Sequence, residues 1–352
     1  MDRTKGFAQA VLEAIDLCMA SDARVFIMGL GVPDPRGIFG TTLGLQEKYG
    51  EQRVMDMPCS ENGMTGVAIG SALVGMRPIL THQRVDFALL SLDQIVNQAA
   101  KWHFMFGGKA SVPLVIRMIV GRGWGQGPQH SQSLEAWFAH VPGLKVVMPT
   151  TPFDAKGLLI SSIEDDNPVL FIEHRWLHNI TGHVPEGSYR VPLGKGKILR
   201  NGNDLTVVAT SYMTLEALRA AEVLEGDGLQ AEVIDVRTLR PLDEDLILES
   251  VTKTGRLIVV DTGQKTGGFG GEILARVAEG AFSALKAAPV RIGLPDCPSP
   301  TTHALAEAYY PTANQIVAAA RTMLGIRETS PHTKASSQSP ADVPNPTFTG
   351  PF

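Results

Sequence analysis

The chain has 352 residues, with 31 Lys plus Arg against 36 Asp plus Glu and a formal charge of −5. That length suffices for two domains with a large core, and the mild acidity excludes the basic footprint of a nucleic-acid binder. Three cysteines (Cys18, Cys59, Cys297) without CxxC spacing give neither a disulfide framework nor a zinc site. Apolar runs such as Pro113 to Val120 are too short to span a bilayer, and the N-terminus lacks a secretory pattern. A cytoplasmic globular protein with no nucleic-acid or membrane partner is therefore expected.

Apolar, β-branched runs alternate with helical periodicity, the pattern of parallel sheets covered by helices on both faces. Strands are expected at Arg24–Met28, Arg53–Met55, Pro78–Thr81, Pro113–Ile116, Lys145–Met148 and Val169–Glu173. Helices fall near Phe7–Met19, Glu61–Val74, Leu90–Met105 and Pro152–Ile163. Periodicity then fades and Gly, Pro and polar residues gather, so residues 186–204 read as a linker between a first domain, 1–185, and a second, 205–326. The second set has strands at Thr206–Thr210, Ala231–Val236, Arg256–Asp261 and Val290–Gly293, with helices near Thr214–Leu224, Asp243–Thr252, Gly270–Leu285 and His303–Leu324. The fold class is α/β, two three-layer domains. Residues 327–352, rich in Ser, Thr and Pro, are expected to be disordered or to dock on a partner through Phe348 and Phe352.

Some motifs are weak. Gly226-Asp-Gly-Leu has the start of a diphosphate–magnesium motif, but it closes a helix and leads into a strand, as a helix C-cap does. Thr266-Gly-Gly-Phe-Gly-Gly runs from strand to helix as phosphate loops do, without a GxGxxG register or a Walker lysine. His174 and His178 lack a third metal ligand. Stronger are long blocks. Pro58-Cys-Ser-Glu-Asn-Gly-Met-Thr-Gly puts the carboxylate of Glu61 at a strand-to-helix turn, with Gly66 and Gly70 permitting a close neighbour. Asp93-Gln-Ile-Val-Asn-Gln, Gln129-His-Ser-Gln-Ser-Leu-Glu-Ala-Trp-Phe, Pro142-Gly-Leu-Lys-Val-Val-Met-Pro, Asp154-Ala-Lys-Gly-Leu-Leu, Asp165-Asp-Asn-Pro-Val and Val236-Arg-Thr-Leu-Arg-Pro-Leu-Asp follow.

The order and spacing of these blocks resemble the β subunit of the E1 component of pyruvate, branched-chain 2-oxo acid and acetoin dehydrogenases, from about Ala8 to Leu324. The resemblance implies a transketolase-like pyrimidine-binding domain followed by a transketolase C-terminal domain. It implies thiamine diphosphate as cofactor, with Mg2+ and the diphosphate held by an α-type partner in an α2β2 heterotetramer, and a lipoyl acyltransferase as a further partner. Glu61 matches the glutamate that meets N1′ of the aminopyrimidine and promotes its imino form. Phe87 matches the aromatic packed on the pyrimidine ring. His130 matches the active-site histidine, where an imidazole binds a substrate carboxylate or moves protons. Leu114, Ser162, Asp165 and Asn167 match positions that in some relatives offer oxygens to a structural potassium ion. The implied activity is decarboxylation of a 2-oxo acid with transfer of the acyl or aldehyde unit.

Three departures bear on the substrate. Relatives carry a Gly-Glu-Asp block after the first strand, where this chain reads Gly29-Leu-Gly-Val. Relatives carry an aromatic where Arg84 stands, and Arg-Gly-Pro-Asn-Gly where this chain runs through Arg122 and Trp124. Together these predict a cleft with fewer anions and two added cations, Arg84 and Arg122, as substrate contacts. Two other readings stay open: a transketolase-like or acyloin-forming subunit without a lipoyl partner, and a non-catalytic scaffold.

Overall fold

A computed structural model describes residues 3–122 and 126–326; Trp124 and the tail 327–352 lie outside the described residues. The chain divides into two units. Among the described residues, the first comprises 3–121 and 129–193, and the second 122, 126–128 and 194–326.

The first unit contains β1 (Thr4–Gly6), α1 (Phe7–Ser21), β2 (Val25–Gly29), α2 (Leu45–Tyr49), β3 (Val54–Met55), α3 (Glu61–Leu73), β4 (Arg77–His82) and α4 (Val85–Ala88). After these come α5 (Ala100–Met105), β5 (Val115–Val120), α6 (Glu135–His140), β6 (Lys145–Val147), α7 (Pro152–Glu164), β7 (Val169–His174) and β8 (Thr181–His183). Its central strands lie in the order β6-β7-β5-β4-β2-β3, every neighbouring pair parallel. Every residue of β5 and of β7 is buried, as expected of a parallel sheet covered on both faces. Helices α1 and α7 pack on each other, and α3 packs on β4 and on residues 89–99. Thr151 caps α7 by accepting the Asp154 N–H at 3.1 Å, with Pro152 in the first turn, both favoured starts for a helix.

Three details differ from the sequence reading. The helix expected at Leu90–Met105 is a tight turn at Leu89–Ser91, a wide π-type stretch at Asp93–Ala99, and then α5. The strand expected to stop at Ile116 continues through Arg117 to Val120. The short antiparallel pair β1–β8 was not foreseen.

The second unit contains β9 (Lys197–Arg200), β10 (Leu205–Ala209), α8 (Tyr212–Gly226), β11 (Ala231–Asp235), β12 (Thr238–Arg240) and α9 (Glu244–Thr254). It continues with β13 (Leu257–Gln264), α10 (Phe269–Gly280), β14 (Val290–Leu294), α11 (His303–Tyr309) and α12 (Ala313–Leu324). The sheet runs β14-β13-β10-β11-β9, parallel except at the β9 edge. Its core joins Leu205 and Val207 of the sheet to Met213, Ala217 and Leu224 of α8 and Ile316 of α12. The stretch 186–204, expected as a linker, is split: residues to 193 belong to the first unit, and β9 extends the second sheet. One helix was expected over His303–Leu324. It breaks because Tyr310 precedes Pro311 and is extended (φ −89°, ψ 121°), the conformation that proline imposes on its predecessor. Among the described residues, no helix is long and apolar enough to cross a membrane.

Candidate active site

Residues that follow strands β3, β4 and β5 converge at the carboxyl ends of the first unit's parallel strands, the edge where open α/β sheets hold ligands. Glu61 is the first residue of α3, half-buried. Its carboxylate takes no hydrogen bond from any described residue, while its main-chain carbonyl accepts the Thr65 hydroxyl at 2.7 Å. The Thr65 hydroxyl oxygen also lies 3.0 Å from Ser91 Oγ, within hydrogen-bond distance. That bond ties the first turn of α3 to the turn that follows α4, the helix carrying Phe87. Phe87 meets His130 edge-on, with ring centroids 5.4 Å apart and planes at 81°. The structure thus brings Phe87 and His130 into contact and joins Glu61 to the same segment through Thr65 and Ser91.

Two residues given no role by the sequence reading, Gln132 and Asp86, sit beside this pair. Gln132 Nε2 donates to Asp86 Oδ1 at 2.7 Å, and burial pushes the Asp86 carboxyl above the usual range against the pull of that bond. Arg84 is 3 % exposed and donates through Nη1 to the Gly121 carbonyl at 2.6 Å. Its guanidinium lies 5.7 Å from the centroid of Phe39, and that of Arg175 4.3 Å from the same ring. Behind them, Arg117 Nε donates to Glu173 Oε1 at 2.7 Å and Arg117 Nη2 to Thr41 Oγ1 at 2.9 Å. His178 Nε2 contacts Glu173 Oε2 at 3.1 Å.

The cationic cleft expected from Arg84 and Arg122 takes a different form. Both are buried, and Arg122 donates to the Thr301 carbonyl at 2.7 Å within the second unit. Each guanidinium holds a loop carbonyl. Nor is the ground around Leu30 and Gly31 stripped of anions. Gly31 N–H donates to Asp56 Oδ1 at 2.9 Å, and a Cβ on Gly31 (φ +75°) would meet Asp34 Oδ2 at 2.9 Å. Carboxylates from other positions occupy that corner.

The four positions matched to a potassium site gather where α7 ends and β7 begins. Asp165 Oδ1 accepts from Asn167 N–H at 2.8 Å, Ser162 O accepts from Asp165 N–H at 3.3 Å, and Leu114 O accepts from Val169 N–H at 2.9 Å. Two cations already lie against Asp165: Lys145 pairs with its carboxylate and Arg77 donates to its carbonyl. Among the described residues, no group of three or more His, Cys, Asp and Glu side chains could hold a metal. His174 Nδ1 accepts the Trp176 N–H at 3.2 Å and His178 is bound to Glu173, so neither histidine is arranged as a ligand.

Neither glycine loop offers a diphosphate grip. At Gly226-Asp-Gly the N–H of Leu229 returns to Leu224 O at 2.9 Å, and Gly228 has φ +79°, a helix C-cap. At Thr266–Gly271 the start of α10 is filled by a carboxylate, with Asp261 Oδ2 accepting from Gly270 N–H at 3.1 Å. A phosphate there would meet a like charge. Of the two α3 glycines, a Cβ on Gly66 would meet Gln94 Oε1 at 3.5 Å, whereas one on Gly70 would meet nothing within 4 Å, and Val67 beside it is exposed.

This architecture is that of the transketolase-type enzymes. Residues 4–179 match the family Transketolase, pyrimidine binding domain, and residues 194–316 the family Transketolase, C-terminal domain. The chain belongs to the β subunits built from these two domains. It is 46 % identical over 336 residues to the acetoin:2,6-dichlorophenolindophenol oxidoreductase subunit beta of Cupriavidus necator, covering 92 % of this chain and 99 % of the relative. It is 43 % identical to the 2-oxoisovalerate dehydrogenase subunit beta of Bacillus subtilis, over 82 % of this chain and 90 % of the relative. It is 41 % identical to the mitochondrial pyruvate dehydrogenase E1 component subunit beta of Pisum sativum, over 89 % and 88 %. In fold it is similar to a solved split-gene transketolase described as an inactive β4 tetramer, with TM-score 0.75 and 24 % identity over 92 % of this chain and 99 % of that one.

Proposed function

We propose that this chain is the β-type subunit of a thiamine-diphosphate-dependent 2-oxo acid dehydrogenase-like enzyme and carries half of its active site. The observation that supports this best is the half-buried Glu61 carboxylate, without a hydrogen-bond partner among the described residues, its turn tied through Thr65 and Ser91 to the segment that packs Phe87 on His130. A carboxylate so placed fits an aminopyrimidine nitrogen, and an aromatic edge fits its ring. The cofactor, when bound, supplies the nucleophilic carbon and the electron sink for decarboxylation. Glu61 holds a proton at N1′, Phe87 walls the ring, and His130 offers ring nitrogens to the substrate carboxylate or to a proton in transfer. Substrate contact falls to His130, whereas the guanidiniums of Arg84 and Arg122 each hold a loop carbonyl.

The occupied glycine loops support a diphosphate and Mg2+ held by an α-type partner. The exposed face of α3 suits association into an α2β2 heterotetramer. The acyl acceptor is a lipoyl arm of an acyltransferase, and assaying lipoylated domain against dichlorophenolindophenol distinguishes that arm from a direct oxidant. The three free cysteines, Cys59 and Cys297 being exposed, suit the reducing cytoplasm.

Titration calorimetry tests the shared site. The chain alone should bind thiamine diphosphate with Mg2+ more weakly than micromolar, and the mixture with an α-type chain should bind it tightly. Glu61→Gln in the mixture should keep binding yet lose about 100- to 10,000-fold in turnover of the preferred 2-oxo acid, the usual cost of removing a positioned acid–base group. Sub-micromolar binding by the chain alone, or near-wild-type turnover by Glu61→Gln, overturns the reading.

A further inference from the structure

Three hydrogen bonds form a closed circuit around the pair Phe87–His130. Arg84 Nη1 donates to Gly121 O at 2.6 Å, Gly121 N–H donates to Gln132 O at 3.4 Å, and Gln132 Nε2 donates to Asp86 Oδ1 at 2.7 Å. Arg84 and Asp86 share one turn, so the circuit starts and ends on the residues just before Phe87. It encloses the two points where the chain leaves the first unit and returns to it, Gly121 and Gln129. His130 lies between the return point and Gln132, and its ring packs edge-on against Phe87.

We propose that Arg84, Asp86 and Gln132 are positioning residues that fix the His130 imidazole against Phe87. The main-chain bond of the circuit, Gly121 N–H to Gln132 O, is 3.4 Å, at the long limit for N–H···O, and is the weakest of the three. The Gln132–Asp86 bond sets the orientation. It is short, its acceptor is a carboxylate, and charge-assisted bonds of this kind are roughly twice as strong as neutral ones. Among the described residues Asp86 Oδ2 is buried without a hydrogen bond, and the side-chain bond the carboxylate accepts comes from Gln132. The acceptor must be a small side chain at position 86: Phe87 leaves the same turn and has to reach His130. Arg84 secures the opposite side of the circuit. Gly121 has φ +80°, and a Cβ there would come within 2.5 Å of His174 Nε2, so its carbonyl direction is set by backbone geometry that only glycine adopts easily. The bearing on catalysis rests on the reading of His130 and Phe87 as cofactor-site residues; the positioning itself does not.

Exchanging donor and acceptor tests the pair. In Gln132→Glu two carboxylates face each other, whereas Asp86→Asn with Gln132→Glu restores a bond of reversed polarity. Hydrogen–deuterium exchange is followed by mass spectrometry on the purified full chain without cofactor or substrate, with Tm recorded alongside. Gln132→Glu should raise exchange of the peptide spanning 129–133 about tenfold at neutral pH with little change in Tm, the scale of one lost charge-assisted bond. The double variant should return it to the wild-type rate. Arg84→Met, which removes the bond to Gly121 O on the opposite side of the circuit, should also raise it. In the turnover assay Gln132→Glu should shift the pH optimum toward acid, where one carboxyl protonates and donates again, a shift a general packing defect would not produce. Unchanged exchange in Gln132→Glu, or a double variant as mobile as the single one, overturns the pair. Unchanged exchange in Arg84→Met overturns the part assigned to Arg84. None of these exchange readouts needs thiamine diphosphate, so they stand or fall apart from the proposed function.

Discussion

Gly121 is the residue on which most of the site's local geometry turns. It combines a left-handed backbone with a Cβ position blocked at 2.5 Å by a buried histidine ring. Gly228 has a nearly equal φ of +79° but open space around it. Gly228→Ala should therefore lose only the left-handed penalty of about 1–2 kcal/mol, while Gly121→Ala should lose that and also displace His174. Thermal melts of the two variants decide this, and equal losses would show that His174 yields without resistance. The contrast also shows what was legible at this scale. Glu61 and His130 stood out because each lies in a block whose residue order resembles a family pattern, and Phe87 because its position matches the family's aromatic. Asp86 and Gln132 were in view but carried no sign of acting together, since a contact across 46 positions leaves no periodic trace. Arg84 and Arg122 read as charges for a ligand, and the structure uses each on a main-chain carbonyl. Their burial could not be read from neighbours in sequence.

At the scale of elements, the alternation of strands and helices was legible wherever the segment was apolar, and it failed where a buried polar group was matched from far away. The strand expected at Pro113–Ile116 stops one residue before Arg117, which lies buried within β5. Glu173 on β7 supplies its counter-charge across adjacent parallel strands, both side chains at most 1 % exposed. The same principle governs the packing of α1 on α7. Lys156 on α7 is fully buried and is bound to Glu13 Oε1 and Pro185 O, each at 2.8 Å, with Tyr189 5.0 Å away. Burial pushes the Glu13 carboxyl up, but bonds from Arg3, Lys156 and Lys5 outweigh it and hold the group at about 2. Its contribution is complete above the unfolded value near 4.5 and disappears as pH falls toward 2. Glu13→Gln leaves a buried ammonium without its carboxylate and should cost roughly 3 kcal/mol at pH 7. It should also remove part of the acid dependence below pH 4.5. A urea titration at pH 7 and pH 3.5 checks both, and an equal loss at the two pH values would rule out the electrostatic account.

Across the whole molecule, sensitivity to mild acid is concentrated in one unit. Burial holds the imidazoles of His82 and His178 down at about 4. Burial, with His178, Arg84 and Arg175 nearby, holds His174 at about 3. All three lie in the first unit, at or just after the ends of β4 and β7. In the second unit the one described histidine is the exposed His303. An unfolded chain protonates its histidines near 6.5, so below that pH the unfolded state takes up protons that the folded first unit refuses. The sign follows: these groups contribute their full stability above pH 6.5, and it is lost progressively as pH falls toward 4. The loss should begin before Glu13 or any ordinary carboxylate titrates. Hydrogen exchange, corrected for the intrinsic rate, should then show the amides of β5 and β7 losing protection between pH 6.5 and 5, with those of β10 and β13 retaining theirs. His82→Phe should lessen the loss by removing one of the three protons taken up. If both sheets lose protection together over that range, or neither does, the buried histidines do not set the acid limit of this protein.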